Sequence, residues 1–195
     1  MLGFYPPTGG AVMIGNQSLQ KISFKEWRKH CGVVMQEGFI FGDTIANNIA
    51  PDGSMIDKER LLYAVEMANI REFIESLPLK YNTKIGNTGQ GLSQGQKQRI
   101  LIARAVYKNP DYIFLDEATN SLDANNERSI VENLDKFYKG KTVVIVAHRL
   151  STVKNADQIV VIDHGKVVEV GNHESLTAKR GTYYNLVKNQ LELGN

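Results

Sequence analysis

Two adjacent carboxylates, Asp116 and Glu117, follow the run Tyr112–Leu115, whose apolar and aromatic residues are typical of a buried strand. A carboxylate pair at the tip of a buried strand is costly unless a cation or a reacting group lies opposite it. There the first acid could reach Mg²⁺ through water, and the second could orient a water molecule and take its proton. The alternative is an acidic helix cap or turn after the strand, and these residues alone leave that alternative open.

A second candidate segment, Leu92–Gln96, lies upstream of the acids. Its Ser93 is 23 residues before Asp116 (116 − 93). Ser93 and Gln96 have the spacing of a capping box, so we expect a helix to begin at Ser93. The free amides and positive dipole of such a helix end favour an anion, and Gly95 permits close approach. This segment is therefore a candidate phosphate-binding helix end, with a plain capped helix as the alternative.

Three further polar residues sit next to predicted strands or helices. Gln36 ends the strand that contains Val33–Met35, where a neutral amide can touch both a metal-bound water and a neighbouring lobe. His148 follows the predicted strand Val143–Ala147, and its imidazole could donate a hydrogen bond to a terminal phosphate. Asp123 precedes a predicted helix and could equally be its cap. Taken singly, each of these residues has an ordinary structural explanation.

The remaining sequence divides into an α/β core over residues 1–36 and 110–195 and a helical segment over residues 37–109. Met1–Phe4 is expected to be the end of a helix, stopped by Pro6 and Pro7. The predicted strands are Ala11–Ile14, Gly32–Gln36, Tyr112–Asp116, Thr142–Ala147, Gln158–Ile162 and Lys166–Val170. The predicted helices are Phe24–His30, Thr44–Ile49, Lys58–Asn69, Ile70–Leu77, Ser93–Lys108, Asn125–Tyr138 and Thr182–Leu193. The β-branched run Thr142–Ala147 suits a parallel sheet that is covered on both faces.

Composition excludes several classes of function. The net charge is +2, from 23 basic and 21 acidic residues, which is too balanced to indicate a nucleic-acid partner. No apolar run approaches the ~18–20 residues that are needed to span a bilayer. These features are those of an ordinary folded domain.

The order of these motifs along the chain favours a common function over a separate structural explanation for each. Together they resemble the ATP-binding domain of an ABC transporter, from Gly3 to about Leu191 and in the same sequence order as in that family. The segments 43–49 and 147–152 resemble exporters, and the closest resemblance is to bacterial peptide or bacteriocin exporters. The implied fold is α/β: a single P-loop NTPase (RecA-like) domain with a parallel-sheet core, incomplete at its N-terminal side, and an inserted helical subdomain at residues 37–109.

The resemblance also implies the chemistry of one ATP site. Asp116 and Gln36 would hold Mg²⁺, and Glu117 would be the catalytic acid that activates water. His148 would contact the terminal phosphate, as the family's switch histidine, and Gln36 would also count among the catalytic residues. The implied ligands are ATP and Mg²⁺.

The signature motif would act on the ATP of a second copy. Ser93, Gln94, Gly95 and Gln96 would contact that nucleotide in a head-to-tail pair of ATPase domains, together with Asp123. Gln94 stands where the family more often has glycine, and Asn87 stands where many exporters have glutamate. The other implied partners are membrane-spanning domains, which would place this domain on the cytoplasmic face of a bacterial membrane.

One motif of the family does not occur. No GxxxxGK[ST] phosphate loop is found in the 195 residues, so the amide nest and the lysine that hold the β- and γ-phosphates are missing from this sequence. We therefore expect that the chain is truncated at its N-terminus, that it binds ATP poorly by itself and that it is only marginally folded alone.

Two other classes of protein remain as alternatives. A DNA-repair or chromosome-structure ATPase of the SMC type shares a signature motif and an acidic strand tip. There, however, a long coiled coil separates the two halves, whereas Gln36 and Ser93 are only 57 residues apart (93 − 36). The second alternative is a non-catalytic fragment that docks on partners and regulates them, or a gene remnant. Intact motifs downstream of the missing loop do not exclude it.

Overall fold

The structure is a computed structural model, and it describes residues 1–53, 55–86, 89, 91–122, 124–147 and 150–193. The chain divides into two compact units, Met1–Val144 and Ile145–Asn195. Each unit has its own secondary structure and its own buried apolar residues.

The strands of the first unit form a ribbon and a sheet. β1 (Met13–Ile14) and β2 (Gln17–Ser18) pair antiparallel. The sheet has the order β3 (Cys31–Val34), β4 (Tyr112–Asp116) and β5 (Thr142–Val146), and the first unit ends within β5, at Val144. β3 and β4 are parallel, with Cys31 opposite Tyr112 and Val34 opposite Leu115. Two parallel strands far apart in sequence require a crossover, which here contains the helical segment.

Six α-helices belong to the first unit among the residues described. They are α1 (Phe24–Lys29), α2 (Ile45–Ile49), α3 (Lys58–Met67), α4 (Arg71–Ser76), α5 (Gln94–Lys108) and α6 (Ala124–Phe137). Two 3₁₀ turns lie at Leu19–Lys21 and Lys80–Asn82. Side-chain caps begin α2 and α3, because Thr44 accepts from Asn47 N and Asp57 accepts from Arg60 N.

α5 is the central helix of this unit, since it packs against α2, α3 and β3. Eight of its fifteen residues are buried, among them Ile100, Ile102 and Ala103. A helix that is apolar on most of its circumference must be enclosed by other elements, as the Ile100–Val106 run indicates. This enclosure fixes the direction in which its N-terminal end points.

The second unit contains α7 (Leu150–Val153), β6 (Ile159–Asp163), β7 (Lys166–Gly171), α8 (His173–Lys179) and α9 (Thr182–Leu193). β6 and β7, which correspond to the last two predicted strands, form an antiparallel hairpin around His164 and Gly165, which both have positive φ, 44° and 73°. A small core joins the hairpin to the two last helices, with the members Ile159, Val161, Leu176, Tyr183 and Val187.

Several local predictions differ from the structure. β3 ends at Val34, so Gln36 lies two residues past the strand that it was predicted to end, and β2, α7 and α8 have no predicted counterpart. Met1–Phe4 is not helical; Gly3 has a φ of 76°, and Met1 O accepts a hydrogen bond from the indole of Trp27 at 3.1 Å. Four residues ahead of two prolines are too few to propagate a helix. β5 is less enclosed than its β-branched run predicts, since Val146 is 53% exposed and the three residues before it are half-buried.

No helix in the described parts of the chain is long and apolar enough to cross a membrane.

Candidate functional site

The segments that follow β3 and β4 leave the sheet at the same edge. Val34 pairs with Leu115 in the parallel register, so Gln36, two residues past β3, and the pair Asp116–Glu117, at the end of β4, lie at the carboxyl ends of neighbouring strands. This is the edge at which open α/β sheets bind ligands. Gln36 is exposed and the two acids are half-buried, so all three can meet solvent or a ligand. We call residues 35–44 the β3 loop and residues 117–122 the β4 loop.

Glu117 begins the β4 loop with a strained backbone. Its φ is 49°, a left-handed conformation that costs a non-glycine residue about 1 kcal/mol. Asn120 holds the turn closed, because its N–H donates to Glu117 O at 3.2 Å and its carboxamide donates to Glu117 Oε2. The catalytic candidate of the sequence therefore has a fixed backbone and an oriented carboxylate.

The second half of the β4 loop is enclosed by α6. Thr119 and Glu127 are 6% and 9% exposed, and Thr119 Oγ1 donates to Glu127 Oε1 at 3.4 Å. Leu122 is buried and donates its N–H to Thr119 O at 3.1 Å. The loop is thus attached to the first turns of α6. Asp123, a predicted nucleotide contact, lies outside the described residues.

The predicted capping box at the start of α5 is confirmed. Ser93 Oγ accepts from Gln96 N at 3.2 Å, and Gln96 Oε1 accepts from Ser93 N at 2.9 Å. The first N–H groups of a helix have no partner within the helix, and Gln94 at this end is exposed. A fifteen-residue helix adds a positive dipole at the same end. The capping box is thus shown, and anion binding at this helix end stays a prediction.

The β4 loop passes close to Gly95. A Cβ added to this glycine would lie 3.2 Å from Ser121 O and 3.7 Å from Leu122 Cδ2. A larger side chain would push the loop away from the helix, so the glycine allows a close approach of the two backbones. Within one chain, the capped end of α5 and the carboxylate loop are neighbours.

The β3 loop is held by side chains from α2 and α5. Asn48 is completely buried; its Oδ1 accepts from Phe41 N at 2.8 Å, and its Nδ2 donates to Phe41 O and Thr44 O at 3.0 Å each. Such pairing satisfies the backbone of a loop that forms no strand or helix. The loop therefore takes its conformation from a helix that follows it in sequence.

Two residues of α5 complete this arrangement. Arg104 donates to Phe39 O at 2.9 Å and to Asn48 O at 2.6 Å, and its guanidinium carbon lies 5.0 Å from the ring centre of Phe41. Burial lowers the pKa of the Arg104 guanidinium. Gln98 is 2% exposed and donates to Met35 O at 3.3 Å. The contacts with Met35, Phe39 and Phe41 join the β3 loop to α5, and the bond to Asn48 O joins α2 to α5.

Sequence reasoning did not single out Asn48, Gln98 or Arg104. The signal available was weak: Gln98 borders an apolar stretch of α5, and Arg104 interrupts it. A polar residue on an otherwise buried helix must find a partner, but the sequence does not say which one.

The described donors suit Mg²⁺ held mainly by water. Asp116 and Gln36 supply a carboxylate oxygen and an amide oxygen, and Mg²⁺ commonly uses one or two such groups and keeps several waters. No group of three or more His, Cys, Asp or Glu side chains that could hold a metal occurs among the residues described. His148 and Asn87, like Asp123, fall outside the described part of the chain.

The sequence model of the ABC transporter family matches residues 1–120. The chain is 44% identical over 190 residues to the ATP-dependent lipid A-core flippase of Saccharophagus degradans, covering 97% of this chain and 32% of that protein. It is 43% identical over 190 residues to multidrug resistance protein 1 of Entamoeba histolytica, covering 96% of this chain and 15% of that protein. The chain thus spans a third or less of these relatives.

A solved structure of an ABC exporter is also similar to this chain. It is described as a bacterial Atm1-family ABC exporter with ATP bound, and it superposes with a TM-score of 0.92 at 35% identity over 97% of this chain and 34% of that one. The fold is therefore that of the P-loop NTPases, with a parallel sheet and the acidic pair at a strand tip. The chain belongs to the ABC transporter family, as an ATP-binding domain of the exporter type, and this family hydrolyses ATP.

Proposed function

We propose that this chain powers export across a membrane by binding and hydrolysing ATP. The observation that carries the proposal is the pair Asp116–Glu117 at the carboxyl edge of the sheet, beside the glycine-lined start of α5. Both features lie in a chain whose exporter relatives are similar over nearly its whole length.

Asp116 and Gln36 would hold Mg²⁺, which neutralises phosphate charge when it is bound. Glu117 orients the attacking water and accepts its proton, while the bond between water oxygen and the terminal phosphorus forms and the bond to ADP breaks. The hydrogen bond from Asn120 fixes the direction of the Glu117 carboxylate. His148 is proposed to contact the phosphate that leaves.

The start of α5 serves the ATP of a second, head-to-tail ATPase domain. The amides at Ser93–Gln96 and the dipole of α5 suit a phosphate, and Asp123 is proposed to lie at the same contact. Each ATP would therefore lie between two copies, with the acids from one and the capped helix end from the other.

The proposed membrane partner receives motion through Gln36 and the helical segment 37–109, which lies between the two parts of the α/β core. The domain would work on the cytoplasmic face of a membrane, in complex with membrane-spanning domains.

The proposed cargo is a peptide, because the motifs resemble those of bacterial peptide exporters. The relatives named above are described as a lipid A-core flippase and a multidrug resistance protein, so lipids and drugs are the competing cargoes.

The test is Glu117→Gln in the exporter that carries this domain, assayed as Mg·ATP hydrolysis in proteoliposomes. Loss of the general base should lower kcat by about 10²- to 10⁴-fold. Arg128→Ala is the matched control: Arg128 pairs only on the surface with Glu132, with 84% and 63% of the two side chains exposed, and its kcat should stay unchanged.

The isolated 195-residue chain should bind ATP weakly in calorimetry, because its sequence has no phosphate-loop lysine.

Equal turnover by the wild type and by Glu117→Gln would contradict the catalytic role. If the wild-type exporter hydrolysed no ATP at all, the non-catalytic docking function would replace the present proposal.

A further inference from the structure

A single oxygen on α6 joins three elements of the first unit. Asn126 Oδ1 accepts from Arg99 Nη1 at 3.3 Å and from Asn69 Nδ2 at 2.9 Å. Arg99 belongs to α5, and Asn69 lies just after the end of α3 with a φ of 48°. We call Asn69, Arg99 and Asn126 the α6 clasp.

Arg99 extends the clasp to the signature segment. Its Nε donates to Gly95 O at 3.4 Å, and its Nη1 also donates to Asn69 O at 2.8 Å. One rigid guanidinium therefore links the first turn of α5 to the end of α3 and to α6. Such a planar group fixes the relative orientation of its partners better than a flexible amine does.

Glu127, the residue after Asn126, contacts a different segment, the β4 loop. Glu127 is 9% exposed and accepts from Thr119 in the β4 loop, two residues after the catalytic candidate Glu117. Consecutive residues of one helical turn thus bind the signature helix and the hydrolytic loop. The backbone approach of Gly95 to Ser121 O places these two segments against each other as well.

We propose that Asn126 is a positioning residue that couples two ATP sites through the α6 clasp. This inference rests on the proposed function, in which the start of α5 and the β4 loop of one chain act on two different ATP molecules. A shift of the signature segment on one ATP then moves α6, and through Glu127 it moves the loop that carries Glu117. Residues between sites commonly change such coupling without touching either ligand.

The test uses Asn126→Ala and Asn126→Asp in the full exporter. The alanine removes the acceptor, and we expect kcat to fall about tenfold and the Hill coefficient for ATP to fall toward one, with KM within about twofold of the wild type. The aspartate keeps an acceptor oxygen for both donors and should restore kcat and the Hill coefficient. Arg128→Ala is the control, because Arg128 lies two residues further along α6 and makes an exposed ion pair with Glu132.

A merely structural role for Asn126 would lower the amount of active protein without changing the Hill coefficient. Wild-type kcat and cooperativity in Asn126→Ala, or equal defects in the alanine and aspartate variants, would overturn the inference while the wild type still hydrolysed ATP. Absence of hydrolysis by the wild type would instead overturn the proposed function, and the inference with it.

Discussion

The β3 loop and the β4 loop leave neighbouring parallel strands at one edge of the sheet, but they are held in different ways. The β3 loop has its backbone bound by side chains that come from α2 and α5, up to 65 residues away in sequence. The β4 loop is closed by its own residues, with Asn120 bonded to Glu117 only three positions before it, and it is bonded to the helix that directly follows it through Thr119 and Glu127. The β3 loop is thus bonded to elements that are distant in sequence, whereas the β4 loop is bonded to residues close to it in sequence.

This difference suits the two proposed roles. A loop that passes motion between the sheet and a helical segment must be bonded to both, as the contacts of Gln98 and Arg104 provide. A loop that orients one catalytic carboxylate needs a fixed local geometry, and a strained backbone at Glu117 is typical of such sites. Three substitutions test this contrast.

The largest effect is expected from Asn48→Ala in the β3 loop region. The substitution leaves Phe41 N–H without its partner and removes one of the two donors to Phe41 O, which keeps the bond from Asp43 N, and it should lower the free energy of unfolding by about 3 kcal/mol. Urea unfolding followed by circular dichroism measures this. Asn47→Ala is the matched control, because Asn47 makes one exposed side-chain bond to Asp43, and its cost should stay within about 0.5 kcal/mol. Equal costs for the two asparagines would mean that the β3 loop is not held by remote contacts.

A smaller effect is expected from Asn120→Ala in the β4 loop. The backbone bond from Asn120 N to Glu117 O remains, whereas the carboxamide bond to Glu117 Oε2 is lost, at a cost of about 1 kcal/mol. Unfolding by urea gives the global change, and hydrogen exchange should show faster exchange confined to residues 117–122. Asn120→Asp should cost more, because it sets a second carboxylate against Glu117. Faster exchange spreading into the β3 loop would contradict the local character of this turn.

The smallest effect is a pH dependence at Asp43. The backbone N–H of Thr44, and then the carboxamide of Asn47, lower the pKa of the Asp43 carboxyl. A pKa that is lower in the folded state adds stability above the carboxyl's ordinary pKa, and this stability is lost as the pH falls through the folded-state value. The urea midpoint of Asp43→Asn should therefore approach that of the wild type in acid. A difference between the two proteins that does not change with pH would show that the ionised carboxylate contributes nothing.

Local signals predicted much of the secondary structure. α9 begins and ends at the predicted residues Thr182 and Leu193, and β4 matches Tyr112–Asp116. The start of α5 follows from the capping box at Ser93 and the hairpin from its His-Gly turn. These features depend on residues that are close together in sequence, which is why periodicity and caps locate them. The Met1–Phe4 prediction was wrong because Trp27, a distant residue, binds that segment instead.

The candidate site was predictable only in part. The acids at 116 and 117 stand out because a carboxylate pair after an apolar strand is rare without a reason. Their neighbours in space do not stand out, since Asn126 and Arg99 look like ordinary polar residues on helices. The roles assigned to all the site residues stay predictions: Gln36, Ser93–Gln96, Asp116, Glu117, Asp123 and His148.

By itself, the sequence determined the types and order of most of the elements, the capped end of α5 and the acidic end of β4, because these follow from short-range backbone and side-chain preferences. Only the tertiary structure decided that Asn48 and Arg104 would bind the β3 loop and that Arg99 and Asn126 would meet. The physical reason is that a buried polar group must find a partner, while many partners in the sequence could serve. Packing of α5 against α2, α3 and β3 selects among them.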